Sequence, residues 1–266
     1  MALPLLTRAQ GSYIRELLQE RRVRAAEGAF IVEGAHAVRD LLTRYPEQII
    51  TIVTAEGYLL KEGEGDRLVG LPVSVQQYSC PDSQFSKLSD LEAPQGILAV
   101  VRQPTWDEPA ILRQPTALGI FGEQLQDPAN VGAIIRTAAA LNVSALWLTP
   151  ESADIYHPKV VRSTSGALLA LPIFFTKDVS GLIQQGCQIF TAEVAGGGTV
   201  LIDEIRQVPR KLVFAVGNES RGLSSQIRTQ ATIRFTIPLS RDVESLNVAA
   251  TVAIATFYFS RLPKWE

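Results

Sequence analysis

Short apolar stretches alternate with amphipathic stretches along the second half of the chain. The apolar stretches predict strands at ALGIFG, ALWLT, QIFTAEV, KLVFAVG and IRFTIPL. The amphipathic or mixed stretches predict helices at NVGAIIRTAAAL, VVRSTSGALL and NVAATVAIATFYFSRL. Strands that alternate with helices are typical of a parallel sheet covered on both faces. The second half is therefore predicted to be an α/β domain.

The first half of the chain shows a shorter pattern of the same kind. Helices are predicted from Gly11 to Arg22 and from His36 to Arg44, and strands at FIVEG, ITIVTA and GILAVV. After them, residues 103–116 hold three prolines between two apolar runs, a composition typical of a linker. We therefore predict a small α/β domain over residues 1–103, a linker over 104–116 and a larger α/β domain over 117–266.

Composition narrows the range of functions. The 266 residues carry a formal net charge of −2, so nucleic acid would have to be held by a local basic patch. The two cysteines and two histidines are too few and too scattered for a disulfide scaffold or a zinc site. The longest apolar run, residues 248–259, is too short to span a membrane, and no signal peptide is visible. These features predict a cytoplasmic protein that binds neither a metal nor a membrane.

Three polar loops follow predicted strands, where parallel sheets usually bind their ligands. In the first, QDPANVGAIIRTA, Asn130 stands at a predicted helix N-cap and Arg136 lies inside the helix. In the third, IPLSRDVESLNVAATVA, Pro238 ends a strand, Ser245 is placed to cap the last helix and Asn247 lies in its first turn. Taken alone, each of these loops is explained by helix capping.

The second loop, AVGNESRGL, contains two glycines and ends an apolar strand. Gly217 allows the backbone to approach a ligand closely, and Gly222 allows a positive φ. A phosphate-binding Walker loop needs a lysine where this chain has Leu223, so that interpretation fails. The polar residues between the glycines indicate a site of another kind.

Together, NVGAIIRTA, VGNESRGL and IPLSRDVESLNVAA resemble the three motifs of the SpoU branch of the SPOUT RNA methyltransferases, in the same order and at strand ends. The stretch RRVRAAEGAFIVEGAHAVRDLL resembles the L30e-like substrate-binding domain that often precedes this catalytic domain. The resemblance implies a parallel-sheet fold with a deep trefoil knot, S-adenosylmethionine as the cofactor and a homodimer formed through the knotted domains.

The resemblance also implies roles for individual residues. The residues placed in the catalytic site are Arg136, Asn130, Glu219, Ser245 and Asn247. Those placed around the cofactor are Gly217, Ile237, Leu246, Thr191 and Leu239. Arg136 would face a ribose 2′-hydroxyl, and because a guanidinium stays protonated, stabilisation of the developing alkoxide is preferred over a general-base role.

RNA is the expected partner, and the implied reaction is methylation of a ribose 2′-hydroxyl, in large-subunit rRNA. Arg21, Arg22 and Arg24 form the densest basic cluster of the first domain, where arginine can bind phosphate or stack on bases. Salt-bridged surface arginines are the other explanation of this cluster. Three further functions stay open: a tRNA 2′-O-methyltransferase, an inactive RNA-binding assembly factor, and a dinucleotide enzyme, which lacks its glycine fingerprint here.

Overall fold

The computed structural model describes residues 3–58, 75–241 and 243–265; Asp242, inside the third motif, lies outside the described residues. The chain forms two compact units. The first comprises Met1–Thr105 and Asp154–Leu169, and the second Trp106–Ala153 and Ala170–Glu266. The segment Asp154–Leu169 lies within the range predicted for the larger domain, yet it packs with the first unit.

The described α-helices are α1 (Arg8–Gln19), α2 (Arg21–Glu27), α3 (Ala35–Arg44), α4 (Asp82–Leu88), α5 (Glu108–Leu112), α6 (Pro128–Ala140), α7 (Pro158–Thr164), α8 (Ser180–Gln184), α9 (Ser225–Thr229) and α10 (Val248–Arg261). The 3-10 turns are Pro46–Gln48, Ala167–Leu169 and Ile202–Glu204. The strands are β1 (Ala29–Glu33), β2 (Ile49–Ala55), β3 (Gln76–Cys80), β4 (Ile97–Arg102), β5 (Ala117–Gly122), β6 (Ala145–Leu148), β7 (Ile173–Phe175), β8 (Gln188–Ala192), β9 (Val200–Leu201), β10 (Val208–Pro209), β11 (Lys211–Val216), β12 (Ile233–Thr236) and β13 (Lys264–Trp265).

The first unit is built on a mixed sheet with strand order β1-β4-β2-β3. Strand β4 is antiparallel to both of its neighbours, while β2 and β3 are parallel. Helix α1 begins with a capping box in which Thr7 Oγ1 accepts from the Gln10 amide and Gln10 Oε1 accepts from the Thr7 amide. Its apolar face, with Ile14 and Leu17, packs in a core that also contains Phe85 and Leu98.

Helices α1 and α2 replace the single helix predicted from Gly11 to Arg22. The break falls at Glu20, whose backbone is extended (φ −109°, ψ 109°). Beyond the break, the Arg24 guanidinium donates from Nη1 to the carbonyl oxygens of Leu17 and Leu18, at 2.6 and 3.0 Å. These carbonyls would otherwise be left unpaired at the helix end, so a side chain of the next helix completes the first.

The second unit contains a fully parallel sheet with strand order β7-β6-β5-β11-β8-β12-β9. Its central strands are buried, as expected for a sheet with helices on both faces. Helix α10 packs against α6, and its Phe259 ring contacts the rings of Phe190, Phe214 and Phe235 at 5.1–5.8 Å between centroids. Because the strands run parallel, the loops after β5, β8, β11 and β12 all lie at the same side of the sheet, where the carboxyl ends of the strands meet.

Two predicted segments differ in the structure. The stretch VVRSTSGALL was expected to be one helix, but α7 ends at Thr164 because Ser165 and Gly166 take left-handed backbone angles (φ 49° and 84°). The predicted linker is partly folded: it contains α5, whose Leu112 is buried in the core of the second unit. The Nε1 of Trp147 donates to the Glu108 carboxylate at 2.6 Å and ties this helix to β6.

Candidate cofactor cavity and catalytic site

A cavity of about 930 Å³ lies at the carboxyl ends of β8, β11 and β12. It is lined mainly by residues 192–195, 216–223, 235–239 and 243–248. Its volume is within the range of small-molecule sites, about 300–1,000 Å³. The lining includes four of the residues predicted for the cofactor, namely Gly217, Ile237, Leu239 and Leu246. The structure thus brings the second and third motifs to one cavity.

The loop after β11 is a tight turn that closes on itself. A Cβ at Gly217 would lie 2.2 Å from the carbonyl carbon of Gly222 and 2.3 Å from the Leu223 nitrogen, so only glycine fits. Gly222 has a φ of 67°, as predicted from sequence. Asn218, which was not assigned a role, accepts at Oδ1 from the amides of Ser220 and Arg221.

Asn218 also joins this loop to the loop after β5. Its Nδ2 donates to the carbonyl oxygen of Gln124 at 2.8 Å. A second link has the Ser224 amide donating to Glu123 Oε2 at 2.7 Å. The sequence contained a signal for this turn-holding role: Asn218 follows a predicted strand and Gly217, and asparagine side chains commonly hydrogen-bond the backbone of turns.

Three predicted catalytic residues form one hydrogen-bonded row. Asn130 Nδ2 donates to Glu219 Oε1 at 3.1 Å, and Asn247 Nδ2 donates to Asn130 Oδ1 at 2.8 Å. An ionised carboxylate only accepts hydrogen bonds, so Glu219 fixes which way the Asn130 amide faces, and Asn130 in turn requires a donor from Asn247. The row therefore connects one residue from each of the three motifs.

Both asparagines sit differently from the prediction. The N-cap of α6 is Asp127, whose carboxylate accepts from the Ala129 amide, so Asn130 lies in the first turn of the helix, three residues after the cap. The N-cap of α10 is Asn247, whose Oδ1 accepts from the Ala249 amide, and Ser245 is not the cap. Because Asp127 and not Asn130 caps α6, the Asn130 side chain can make the hydrogen bonds of the row. Ser245 lines the cavity.

The Glu219 carboxylate is surrounded by hydrogen-bond donors. It accepts from Asn130 and, at 3.4–3.5 Å, from the amides of Gln126 and Asp127 at the start of α6. Burial alone would raise the pKa of Glu219, but these hydrogen bonds outweigh burial and hold the pKa below its ordinary value. The residue is therefore a carboxylate at neutral pH.

Arg136 lies on α6 with an exposed side chain. It has no hydrogen-bond or ion-pair partner in the described part of the chain, and it does not line the cavity. Asn130, in contrast, is 8% exposed. The Arg136 guanidinium is thus open to solvent. On the same helix, Asn130 is hydrogen-bonded to Glu219 and Asn247, which line the cavity.

A cluster around Glu193 was not foreseen. Its Oε2 accepts from Arg228 and Arg234 at 2.9 and 2.7 Å, and Oε1 accepts from Arg234 Nε. Thr191 Oγ1 donates to Oε1 at 2.8 Å. Burial acts to raise the pKa of Glu193, but the hydrogen bonds from Arg234, Thr191 and Arg228 outweigh burial and hold the pKa below its ordinary value. Glu193 and Arg228 line the cavity, whereas Thr191 is fully buried behind it.

The three arginines predicted to bind RNA have different surroundings. Arg24 is a correction: its side chain is buried, and Nη2 donates to Asp154 at 2.6 Å. With its remaining donors on the α1 carbonyls, Arg24 is a structural residue. Arg21 and Arg22 are exposed, and Arg22 lies 3.6 Å from the Glu20 carboxylate. Of the three, Arg21 and Arg22 are therefore the exposed ones, and RNA binding by them stays a prediction.

The described chain offers neither a metal site nor a membrane-spanning helix. Among residues 3–58, 75–241 and 243–265, no group of three or more His, Cys, Asp and Glu side chains could hold a metal ion. Within the same ranges, no helix combines the length and the apolar content needed to cross a bilayer.

Comparison with known proteins gives the family. Residues 117–257 match the SpoU rRNA Methylase family, and residues 13–99 match the MRM3-like substrate binding domain. The chain belongs to the SpoU rRNA methylase family. Among its relatives, an uncharacterized tRNA/rRNA methyltransferase of Synechocystis sp. is 31% identical over 98% of this chain and 94% of its own. The 23S rRNA (guanosine(2553)-2′-O)-methyltransferase RlmP of Bacillus subtilis is 26% identical over 91% of this chain and 92% of its own.

Solved structures agree with this family. A TrmH-family protein of Porphyromonas gingivalis is 30% identical, with a TM-score of 0.80 over 96% of this chain and 98% of that one. An rRNA methyltransferase of Sinorhizobium meliloti, solved with AdoMet bound, is 24% identical and shares the fold, with a TM-score of 0.82 over 97% and 96% of the two chains. The predicted SpoU family and the parallel α/β fold are confirmed. The knot stays a prediction, because strand order does not define how the chain is threaded.

Proposed function

We propose that this SpoU family member transfers a methyl group from S-adenosylmethionine to a ribose 2′-hydroxyl in RNA. The observation that carries the proposal is the row Glu219–Asn130–Asn247, which joins all three motifs beside a cavity of ligand size. The RlmP relative is named for 2′-O-methylation and the Sinorhizobium structure for bound AdoMet, and both names support the same chemistry.

The cavity fits a small cationic cofactor with an apolar part. Its lining includes the partly exposed apolar side chains of Leu201, Leu239 and Val243 beside the Glu219 carboxylate. The Glu193 carboxylate also lines it but is already paired with Arg228 and Arg234. The residues that would hold the cofactor are Gly217, Ile237, Leu239 and Leu246, and Thr191 would act by fixing Glu193. S-adenosylmethionine supplies an activated methyl on a sulfonium, so the protein has mainly to align the groups that react.

Arg136 is proposed to stabilise negative charge on the ribose oxygen. A guanidinium stays protonated at neutral pH, and that of Arg136 is not neutralised by a partner within the described chain. Asn130 would orient the RNA, and Glu219, Ser245 and Asn247 would hold the loops. The Glu219 carboxylate fixes the orientation of the Asn130 amide. In this proposal these residues position the RNA, and Arg136 stabilises the charge that develops on the ribose oxygen.

Large-subunit rRNA is the proposed substrate. The MRM3-like substrate binding domain and the RlmP relative support rRNA over tRNA. The first unit would bind RNA, with Arg21 and Arg22 exposed for phosphate contact. We further propose a cytoplasmic homodimer that pairs through the second unit. The exposed Ile254 and Phe257 side chains of α10 support such pairing.

The Arg136→Ala variant tests this function. Transfer of labelled methyl from S-adenosylmethionine to ribosomal RNA and to tRNA would be measured, with 2′-O-methyl positions mapped on the product. We expect loss of transfer by about a hundredfold or more, as for removal of one preorganised charge-stabilising group. Cofactor affinity by calorimetry should be unchanged. Arg206→Ala, another exposed arginine of the second unit, is the matched control.

Three outcomes would contradict the proposal in different ways. Wild-type protein that binds S-adenosylmethionine and RNA without transfer would indicate an assembly factor. Preferred transfer to tRNA would leave the chemistry intact and remove rRNA as the substrate. Equal transfer by the wild type and by Arg136→Ala would remove Arg136 from the catalytic site.

A further inference from the structure

The first unit contains a cavity of its own, of about 250 Å³. Most of its wall is apolar and comes from β1, α3, α7 and the 3-10 turn after α7, with Phe30, Val32, Leu41, Val161 and Leu169 among the lining. The exposed side chains of His36 and Gln95 also line it, so the cavity opens to solvent. Its volume is several times the roughly 30 Å³ that one water molecule takes up in the liquid.

One charged group in the lining is buried and only partly satisfied. Glu33, the last residue of β1, is 8% exposed, and its Oε1 accepts from the hydroxyl of Ser89. Its Oε2 is buried and has no hydrogen-bond partner among the described residues. A buried carboxylate oxygen without a donor is costly, so an occupant that brings N–H or O–H groups would be favoured.

The charges around the cavity exclude two kinds of occupant. Glu33 and Asp40 both line it, and the lining Arg162 is already 3.3 Å from the Asp90 carboxylate, so a phosphate would meet net negative charge. A metal ion lacks ligands, because no group of three or more ligating side chains occurs in the described chain. An occupant with apolar surface and N–H donors on one side fits this lining better than either.

We propose that this cavity receives a single unpaired RNA base, a guanine, whose Watson–Crick edge donates hydrogen bonds to Glu33. This rests on the proposed function, which makes RNA the substrate. Single-stranded RNA is commonly recognised by splayed bases that are enclosed by side chains and hydrogen-bonded along that edge. The edge of guanine carries two adjacent donors, N1–H and the N2 amino group, which suit a carboxylate.

Other bases fit Glu33 less well. Uracil has one N–H between two carbonyl oxygens, which would face the carboxylate. Adenine and cytosine each pair one amino donor with a ring acceptor, so a carboxylate could accept only one of their hydrogen bonds. Burial raises the pKa of Glu33 and outweighs the lowering by the Ser89 hydroxyl, the Asp90 amide and the Arg162 charge, so donors from a bound base would offset part of the cost of burying this carboxylate.

The test uses short single-stranded oligouridine RNA with one central guanosine, inosine or adenosine, and measures affinity by fluorescence anisotropy. Inosine keeps N1–H and lacks only the N2 amino group. We expect wild-type protein to bind the guanosine RNA about tenfold more tightly than the inosine RNA, as expected for one hydrogen bond to a charged group. In Glu33→Gln this preference should vanish. Glu92→Gln, an exposed glutamate of the same unit, should keep it.

Thermal unfolding of both variants checks that they are folded. Equal binding of the guanosine and inosine RNAs by wild-type protein would overturn the guanine site, and so would a preference that survives in folded Glu33→Gln. In either case, methyl transfer to ribosomal RNA would still support the proposed function. The proposed function fails separately, if wild-type protein transfers no methyl group to any RNA.

Discussion

The side-chain amide of Asn247 donates a hydrogen bond to Asn130 Oδ1 at 2.8 Å, across 117 positions of sequence. The same Asn247 caps α10 through its Oδ1, which accepts from the Ala249 amide at 2.8 Å. One side chain thus both caps a helix and joins the hydrogen-bonded row Glu219–Asn130–Asn247. Its two functional groups can be separated by mutation, because aspartate retains the acceptor and lacks the donor.

Asn247→Asp is therefore expected to stay folded and lose activity. The cap is kept, so the free energy of unfolding should fall only by the about 1–3 kcal/mol that leaving the buried Asn130 Oδ1 without its donor costs, while methyl transfer should fall at least tenfold. Asn247→Ala should lose both the donor and the cap, with about 1 kcal/mol less stability than Asn247→Asp. Chemical denaturation and transfer assays on the two variants check this. Full activity in Asn247→Asp would show that the hydrogen bond to Asn130 is dispensable.

Glu193→Gln is expected to reduce stability in a pH-dependent way. The pKa of Glu193 is lowered in the folded protein, so its contribution is present above the unfolded pKa, near 4.5, and is lost as pH falls through the folded pKa. At pH 7 the variant should lose about 1–3 kcal/mol through weaker bonds to Arg228 and Arg234. Denaturation at pH 7 and pH 4 measures the difference. A loss independent of pH would contradict this, and the exposed Glu151→Gln is the control.

Gly217→Ala should abolish cofactor binding. The added Cβ would meet backbone atoms of Gly222 and Leu223 at 2.2–2.4 Å, so the loop that lines the cavity must move. Gly181→Ala is the matched control, since a Cβ there has no atom within 4 Å and lies in helix α8. That change should stabilise by about 0.5–1 kcal/mol. Calorimetry with S-adenosylmethionine distinguishes the two, and unchanged affinity in Gly217→Ala would contradict the role of this turn.

Arg24→Ala and Arg22→Ala should separate structure from RNA contact. Removing Arg24 takes the donors from Asp154 Oδ2 and from two α1 carbonyls, and should cost about 3–5 kcal/mol. Removing Arg22, whose side chain is 86% exposed, should change stability by less than about 0.5 kcal/mol and weaken RNA binding with a shallower salt dependence. Denaturation and anisotropy at several salt concentrations provide both readouts. A stable Arg24→Ala protein would overturn the structural assignment.

The sequence predicts the second unit better than the first. Its strands are continuous apolar runs that the parallel sheet buries, so each of the five segments β5, β6, β8, β11 and β12 was correctly predicted to be a strand. Strand β3, QQYSC, is half polar and was missed because its place depends on pairing with β2 and not on its own pattern. Strand β7 was missed because it is only three residues long.

The motifs predicted that Asn130, Glu219 and Asn247 lie together, but not which hydrogen bonds join them, and their catalytic role stays a prediction. The motifs located Asn130, Glu219 and Asn247, yet sequence spacing placed the helix caps at Asn130 and Ser245, because several side chains there could cap equally well. The Glu193 cluster is built from residues as distant as 41 positions, and no local pattern announces such contacts. Arg24 was taken as a surface arginine because its partner Asp154 lies 130 positions away.

That last separation bears on how the protein is synthesised. The first unit needs the chain up to Leu169, because α7 covers β1 and Asp154 neutralises Arg24. In a chain that stops near Thr105, the Arg24 guanidinium would lack the Asp154 carboxylate, and β1 would lack the cover of α7. Expression of residues 1–105 alone should therefore give a poorly folded fragment. The first unit can fold completely only after residues 154–169 have been synthesised.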